Sequence, residues 1–336
     1  MEIRHDVLAK VQEEILEPDR PIIDTHHHFF DEIELFPSYS LEDLWADTST
    51  HNVQQTVFME CTEHYRKSGP AQLAPVGETE WVAGIAAEAA RGPVGASRVS
   101  AIVGTADVML GDAVQEVLEA QLEASPLFRG IRFTAAWAEG EGVHRASPTG
   151  DALLYEDATF RSGFAKLAPL GLSFDGYHYH TQTRTMASLA RAFPDTTIVV
   201  DHLSTPLGIG SFAGKREEVF EAWAKDMSYL AGCPNVNVKL GGMAMPWNGF
   251  GWDEAASPPS SDDFVAAQGR YYHHAIEAFG PNRCMFESNF PVDKLSLSYA
   301  VLWNAFKKIA APYSEDEKQS LFQGTAMRVY RIDALS

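Results

Sequence analysis

The chain has 336 residues, of which 45% are hydrophobic, and this apolar share is too high for a disordered protein. Its 26 lysines and arginines against 46 aspartates and glutamates give a net charge of −20. Such an acidic surface repels phosphate groups and anionic lipid headgroups, so we expect neither nucleic-acid nor membrane binding. The chain shows no secretory signal and no apolar run of about 18 residues, which predicts a cytoplasmic protein.

Short apolar runs recur along the chain, and each is followed by a polar or Gly/Pro-rich turn. Because they do not alternate with polar residues, they are typical of strands buried on both faces of a parallel sheet. Segments with helical spacing lie between them. The predicted strands are residues 21–24, 55–59, 99–104, 130–133, 171–174, 197–200, 236–240 and 284–286, and the predicted helices are residues 112–123, 160–167, 185–192, 217–230, 264–279 and 299–309.

Eight strands alternating with helices predict an α/β fold, the (β/α)8 or TIM barrel, with a doubly wound sheet as the alternative. We expect a single domain over residues 1–336, with residues 1–20 as an N-terminal helical extension. Long irregular segments at residues 61–80, 137–157 and 243–263 follow predicted strands, so they would gather at the functional, C-terminal face of a barrel. The third segment contains Trp247, which predicts an aromatic lid over a pocket.

A histidine motif follows the first predicted strand, in the sequence Asp-Thr-His26-His27-His28. Side chains at positions i and i+2 of an extended chain point the same way, so His26 and His28 project together. Two imidazoles that converge at a strand end are able to hold one divalent metal ion. His27 faces the other way and is expected to be structural.

Two later strands also end in histidine. His178 and His180 follow the fifth strand on one face, and Asp201 and His202 follow the sixth. Because barrels collect catalytic groups at the carboxyl ends of several strands, we expect these histidines to lie at one site.

With these motifs the chain resembles the amidohydrolase superfamily, in its amidohydrolase family 2 branch, over residues 22–330. This branch includes lactone hydrolases, among them those acting on 2-pyrone-4,6-dicarboxylate and on sugar lactones, and zinc-dependent decarboxylases. The matching positions are His26 and His28 after strand one, Gly130-Ile131-Arg132 at strand four, His180 or His178 at strand five, Asp201-His202 at strand six, Lys239-Leu240-Gly241 at strand seven and Glu287-Ser288-Asn289 at strand eight.

The last of these matches departs from the family pattern, which has an aspartate where this chain has Asn289. An amide cannot act as a base near neutral pH, although it is able to orient a water molecule or a substrate oxygen. Glu60 at the end of strand two is our first candidate for the replacement carboxylate, and Glu287 is the second. His202 acting as the base is a further alternative.

The resemblance implies a hydrolase that adds water to the carbonyl of a small carboxylated lactone or related cyclic ester. It implies one divalent metal ion, expected to be zinc, although a metal-free mechanism stays open. The expected roles are His26, His28 and His180 as metal ligands; His202, Glu60 and Asn289 as catalytic groups; and Arg132, Lys239, Tyr65 and Trp247 as contacts to an anionic substrate.

Arg132 would bind a substrate carboxylate through its guanidinium fork, with Arg129 close by. Two other functions remain as alternatives: a metal-dependent decarboxylase of an aromatic or enoic acid, and a barrel that binds a small acid without converting it. A homo-oligomer is possible on the sequence alone.

Overall fold

The computed structural model describes residues 1–31, 36–143, 145–147 and 150–335, and its centre is one parallel sheet of eight strands. The strands pair in chain order, each with the next. They are β1 (Ile22–His27), β2 (Val53–Met59), β3 (Arg98–Gly104), β4 (Phe128–Thr134), β5 (Ser173–Tyr177), β6 (Ile198–Val200), β7 (Val236–Leu240) and β8 (Cys284–Phe286). All eight overlap the predicted strands, and the predicted TIM barrel is confirmed.

The first and last strands approach each other and close the barrel at its carboxyl end. Asn289 N donates to His26 O at 2.9 Å, and His28 N donates to Phe290 O at 2.8 Å. The register of β1 is irregular between Asp24 and His27. This closure brings the histidine motif next to the segment that follows β8.

Helices cover the outside of the barrel. They are α1 (His5–Leu8), α2 (Leu41–Thr48), α3 (Val76–Ala89), α4 (Val114–Ala124), α5 (Ala158–Phe164), α6 (Thr183–Ala192), α7 (Arg216–Ala231), α8 (Ser261–Phe279), α9 (Tyr299–Ala310), α10 (Glu315–Gln319) and α11 (Thr325–Tyr330). The six predicted helices are present. Helix α3 begins inside residues 61–80, so the expectation that this whole segment is irregular is wrong at its end. The helix was not apparent in the sequence, because Gly77 and Gly84 weaken its helical pattern. No helix among the described residues is long and apolar enough to cross a membrane.

The N-terminal extension is helical only at α1, which corrects the expected helix over residues 1–20. The carboxylate of Glu13 accepts hydrogen bonds from Ser261 at the start of α8 and from Asn304 of α9. Lys307 Nζ donates to Leu16 O at 2.7 Å. These contacts with the helical shell take the place of the backbone hydrogen bonds of a helix.

Two apolar layers surround the strands. Outward-facing residues such as Phe58 and Phe174 pack against the helices, while Val57 and Val199 face the inside of the barrel. Helix α11 contributes Val329 to the inner layer. The predicted loop at residues 137–157 includes residues 144 and 148–149, which lie outside the described part of the chain.

Candidate active site

Inward-facing side chains at the carboxyl half of the barrel form a buried ion-paired group. Lys239 Nζ of β7 lies 2.9 Å from Asp175 Oδ2 of β5 and 3.1 Å from Asp201 Oδ1, which directly follows β6. All three side chains are 0% exposed. Although burial opposes it, Asp175 and Asp201 raise the pKa of Lys239, so the ammonium stays charged. We call these three residues the floor of the site.

Three imidazole rings lie next to the floor: those of His26, His28 and His202. The His26 ring centroid is 4.9 Å from that of His28 and 4.5 Å from that of His202. Burial, followed by the positive charge of Lys239, lowers the pKa of His26 well below its usual value. Burial and Arg132 do the same to the pKa of His28. Both rings are therefore neutral near pH 7, and each carries one nitrogen lone pair.

Acceptors that cannot donate decide which ring nitrogen carries the hydrogen. His28 Nδ1 lies 2.9 Å from Met59 O. Glu287 lies 2.7 Å from His202 Nδ1 through Oε1 and 2.9 Å from His26 Nδ1 through Oε2. Although burial opposes it, His202 and His26 lower the pKa of Glu287 to about 2, so this carboxylate only accepts. Nδ1 of His28 and Nδ1 of His202 therefore donate, and His28 Nε2 presents its lone pair. His26 Nδ1 lies between Glu287 Oε2 and, at 3.3 Å, the Lys239 ammonium, which only donates.

The Nε2 atoms of His26 and His28 are 3.2 Å apart. A hydrogen on His26 Nε2 would let it donate to His28 Nε2, and with lone pairs on both atoms the same separation suits a shared cation. Two imidazole ligands of one tetrahedral zinc ion are separated by about 3.3 Å, given zinc–nitrogen distances of about 2.0–2.1 Å. The pair therefore fits a divalent metal ion.

Among the residues that the structure describes, one group of three potential ligands lies within 4.8 Å: His26, His202 and Glu287. Around this group, the buried carboxylates of Asp175, Asp201 and Glu287 outnumber the single ammonium of Lys239. Because the His26 and His28 rings are neutral, they do not balance these carboxylates, and a bound cation would offset the excess negative charge.

A left-handed turn holds His202 in place. Residues 202–205 all have positive φ angles, between 40° and 59°. Such a conformation costs roughly 1–2 kcal/mol per residue, so neighbouring groups must enforce it. Trp223 Nε1 donates to Leu203 O at 2.6 Å, and Ser204 Oγ lies 2.8 Å from His178 Nε2. The strained backbone therefore includes His202, a residue of the site.

Asp24 fastens β1 to the turn after β8. Its Oδ1 accepts from Ser288 N at 2.8 Å, and its Oδ2 accepts from Tyr299 OH at 2.9 Å. This outward-facing carboxylate therefore fixes the spacing between His26 and Glu287, which lie on either side of the junction.

Asn289 also has a positive φ angle, of 56°, and is 1% exposed. Its Nδ2 donates to Asp293 Oδ1 at 2.9 Å. Burial raises the pKa of Asp293 to about 7. The contact with Asp293 uses one of the two amide hydrogens, so the other hydrogen and the acceptor Oδ1 are the parts of Asn289 available to a ligand.

A second ion pair lies at the mouth of the site, where Arg132 Nε donates to Glu60 Oε1 at 2.8 Å. The guanidinium also donates to Glu60 O. The two side chains are 13% and 11% exposed, against 0% for the floor. Tyr65 is half-buried nearby, where burial and then the Glu60 carboxylate raise the pKa of its phenol.

The family model described as amidohydrolase matches residues 23–332. The chain belongs to the amidohydrolase family. It is 33% identical to the uncharacterized protein y4mH of Sinorhizobium fredii, over 94% of this chain and 99% of that protein. It is 26% identical to an L-fucono-1,5-lactonase of Burkholderia ambifaria, over 93% of this chain and 96% of the lactonase.

Among solved structures, an amidohydrolase from Burkholderia multivorans described with bound zinc has a TM-score of 0.71. It is 21% identical to this chain and covers 94% of it, while the match spans 100% of that structure. This likeness is one of fold.

The structure separates His180 from the other histidines of this amidohydrolase, which corrects its expected role as a ligand. His180 Nδ1 lies 3.4 Å from Leu207 N, and its ring contacts Phe212. The physical reason is the alternation along β5: Asp175 faces inward, so Tyr177 does too, and the His178 side chain points away. The Tyr177 ring is 5.6 Å from His202.

Three other expected roles change. Lys239 is fully buried and ion-paired, so it is part of the floor and is not exposed to a substrate. Glu60, our first candidate for the replacement carboxylate, is paired with Arg132, and Glu287 is the carboxylate beside the histidines. Arg129 Nε donates to Tyr330 O, on the opposite side of the barrel from the mouth.

Sequence reasoning missed two contributors, Asp175 and Asp293. Asp175 lies inside an otherwise apolar strand, where a lone carboxylate requires a buried partner, and this is a signal that was available. Asp293 follows Asn289 by four residues and gave no signal, because its contact depends on the conformation of the turn.

Gly242 allows the His202 ring to occupy its position. Its φ angle is +62°, and a Cβ atom there would lie 2.1 Å from His202 Nδ1. We expect Gly242→Ala to displace the ring from Glu287, because the clashing atom belongs to a ring held in a strained turn. Nitrogen-15 NMR of the histidine side chains should show a changed His202 signal.

Gly251 provides the matched control, with a φ angle of +67° and no atom within 4 Å of an added Cβ. Gly251→Ala should cost only the backbone strain, about 1 kcal/mol in the free energy of unfolding. An unchanged His202 signal in folded Gly242→Ala protein would contradict the proposed role of this glycine.

Proposed function

We propose that this protein is a lactone hydrolase. The observation that carries the proposal is the convergence of the His26, His28 and His202 rings beside the Glu287 carboxylate, in a buried, negatively charged barrel interior. Such a site suits the addition of water to a carbonyl group, which needs an electrophilic centre and a base. The similarity to an L-fucono-1,5-lactonase over nearly the whole chain supports the same reaction.

His26 and His28 are the residues that would hold a divalent metal ion, through Nε2. We propose zinc, because imidazole nitrogens are ligands that suit it. When bound, this ion would polarise a carbonyl and lower the pKa of water. Met59 O contributes by fixing the tautomer of His28, and Glu287 contributes by holding a carboxylate beside His26 Nδ1.

We expect His28→Gln to lower the zinc content of purified protein at least about 10-fold, because it removes a proposed ligand. Loss of a residue that only hydrogen-bonds to a ligand already lowers metal affinity about 10–100-fold. His180→Gln is the control, since His180 is also buried but lies against Leu207. Elemental analysis after zinc loading and desalting measures both. Equal losses in the two variants would contradict the ligand assignment.

The pair formed by Glu287 and His202 is suited to proton transfer. Glu287 holds Nδ1 of His202 at 2.7 Å, so Nε2 is able to take a proton from the attacking water. As the new carbon–oxygen bond forms, the bond between the carbonyl carbon and the ring oxygen breaks. The leaving ring oxygen receives the proton, and the product is a hydroxy acid. Asn289 would orient the water through its amide oxygen.

The ion pair of Arg132 and Glu60 bears on the charge of the substrate. A substrate carboxylate would have to share Arg132 with Glu60. The guanidinium of Arg132 already donates through Nε to the Glu60 side chain and through Nη2 to the Glu60 backbone oxygen. The pair as a whole is neutral and presents both donors and acceptors, which matches hydroxyl groups. We therefore propose a small hydroxylated lactone in place of the carboxylated lactone expected from the sequence.

A panel of lactones tests the proposal. We expect zinc-loaded protein to release acid from aldonolactones, including L-fucono-1,5-lactone, faster than from 2-pyrone-4,6-dicarboxylate, as measured in a pH-stat. His202→Gln should lower kcat about 100-fold or more, in keeping with the usual contribution of a general base.

Acid release that never exceeds that of His202→Gln would overturn the lactonase proposal. Release of carbon dioxide from aromatic acids would favour the decarboxylase instead, and faster turnover of the dicarboxylate would restore the carboxylated substrate.

Trp247 supplies a donor at the mouth. It packs against two apolar clusters, one that contains Phe30 and Met245 and one that contains Tyr179 and Leu207. Its Nε1 is buried and has no hydrogen-bond partner among the described residues. A buried donor without a partner costs about 1–3 kcal/mol, so we propose that a substrate oxygen accepts from it.

Trp247→Phe removes this donor and keeps an aromatic ring. We expect KM to rise about 5–10-fold with little change in kcat, because the hydrogen bond contributes equally to ground-state and transition-state binding. Trp45→Phe is the control, since Trp45 Nε1 donates to Ser97 O outside the site. Equal KM values in the two variants would argue against a substrate contact.

A further inference from the structure

The C-terminal helix α11 enters the inside of the barrel from the side opposite the mouth. Val329 and Tyr330 pack against inward-facing apolar residues of the strands. Two hydrogen bonds fasten the helix there: Arg129 Nε donates to Tyr330 O at 2.7 Å, and Arg328 Nη2 donates to Asn237 Oδ1 at 2.9 Å. Helix α11 is therefore held firmly below the floor of the site.

The side chain of Tyr330 extends from this helix to the floor. Its hydroxyl donates to Asp175 Oδ2 at 2.5 Å, and the same oxygen lies 2.9 Å from Lys239 Nζ. Lys239 Nζ in turn lies 3.1 Å from Asp201 Oδ1 and 3.3 Å from His26 Nδ1. A continuous chain of polar contacts therefore connects the C-terminal helix to the histidine motif of β1.

The Tyr330 hydroxyl matters for this series of polar contacts, because Asp175 has few other hydrogen-bond partners. Asp175 Oδ1 has no hydrogen-bond partner among the described residues, and the side chain is fully buried. Asp175 and Asp201 compete for one ammonium, since Lys239 lies between them. Weakening the hold of Asp175 on Lys239 would let the ammonium shift towards Asp201 and His26.

We propose that Tyr330 is a positioning residue for the active site, acting through Asp175 and Lys239 on His26. The proposal rests on the proposed function for its catalytic consequence, although the effect on His26 does not depend on it. In this proposal the C-terminal helix also sets the position of the His26 ring, which lies at the opposite end of the barrel.

Tyr330→Phe tests the proposal, because it removes the hydroxyl and keeps the ring that packs inside the barrel. We expect kcat for the best lactone to fall about 10-fold, as is usual for a group that supports a ligand or catalytic residue, with KM within twofold of its original value. Tyr272→Phe is the matched control, because the Tyr272 hydroxyl is equally buried but has no hydrogen-bond partner among the described residues. It should leave kcat unchanged.

A second measurement does not need a substrate. Nitrogen-15 NMR of the histidine rings, with the His26 signal assigned by its loss in His26→Asn, should show a shifted His26 signal in Tyr330→Phe and not in Tyr272→Phe. In an Asp175→Asn background, Tyr330→Phe should cause no further shift, since the two residues act through one contact.

The outcomes separate the two proposals. A shifted His26 signal in a protein that hydrolyses no lactone overturns the proposed function and supports the positioning role. An unshifted His26 signal in folded Tyr330→Phe protein overturns the positioning role, whatever the activity. A fall in kcat that Tyr272→Phe reproduces also overturns it, because it then reflects a general loss of stability.

Discussion

The rest of the site depends on the burial of Lys239 between two carboxylates inside the barrel. A buried charge is costly unless it is paired and hydrogen-bonded, and here the contacts with Asp175 and Asp201 compensate it. The charge of Lys239 adds to the effect of burial in holding the His26 ring neutral. Glu287 completes the arrangement by accepting from His202 Nδ1 and by lying 2.9 Å from His26 Nδ1. The His26 and His28 rings, which we propose as metal ligands, are therefore neutral near pH 7.

The site is held from three directions, which explains how it tolerates strained backbone. Asp24 ties β1 to the turn after β8, Trp223 and Ser204 enforce the left-handed turn at His202, and Asp293 fixes the amide of Asn289. Positive φ angles occur at both His202 and Asn289, so two residues of the site have strained backbone. Each contact comes from a different part of the chain, which makes the arrangement a property of the closed barrel.

The barrel was predictable from the sequence because strands buried on both faces appear as apolar runs, and the motif of His26 and His28 was predictable because it directly follows one of them. The contribution of strand five was not predictable, because alternation tells which residues share a face but not which face points inward. Asp175 decides this for β5, since its partner Lys239 lies inside the barrel. The opposite assignment placed His180 at the site and Tyr177 away from it.

The departure at Asn289 changes the location of the carboxylate rather than removing it from the site. Glu287 lies two residues earlier, is ionised, and contacts both His26 and His202. A carboxylate at position 289 would face Asp293 across a hydrogen-bond distance, close to Glu287, and like charges at such separations cannot all ionise. An amide avoids this repulsion and gives Asp293 a donor, because its nitrogen carries the hydrogen that a carboxylate lacks. Asn289 and Glu287 are therefore best understood as a coupled pair, in which the amide is the residue compatible with an ionised glutamate below it.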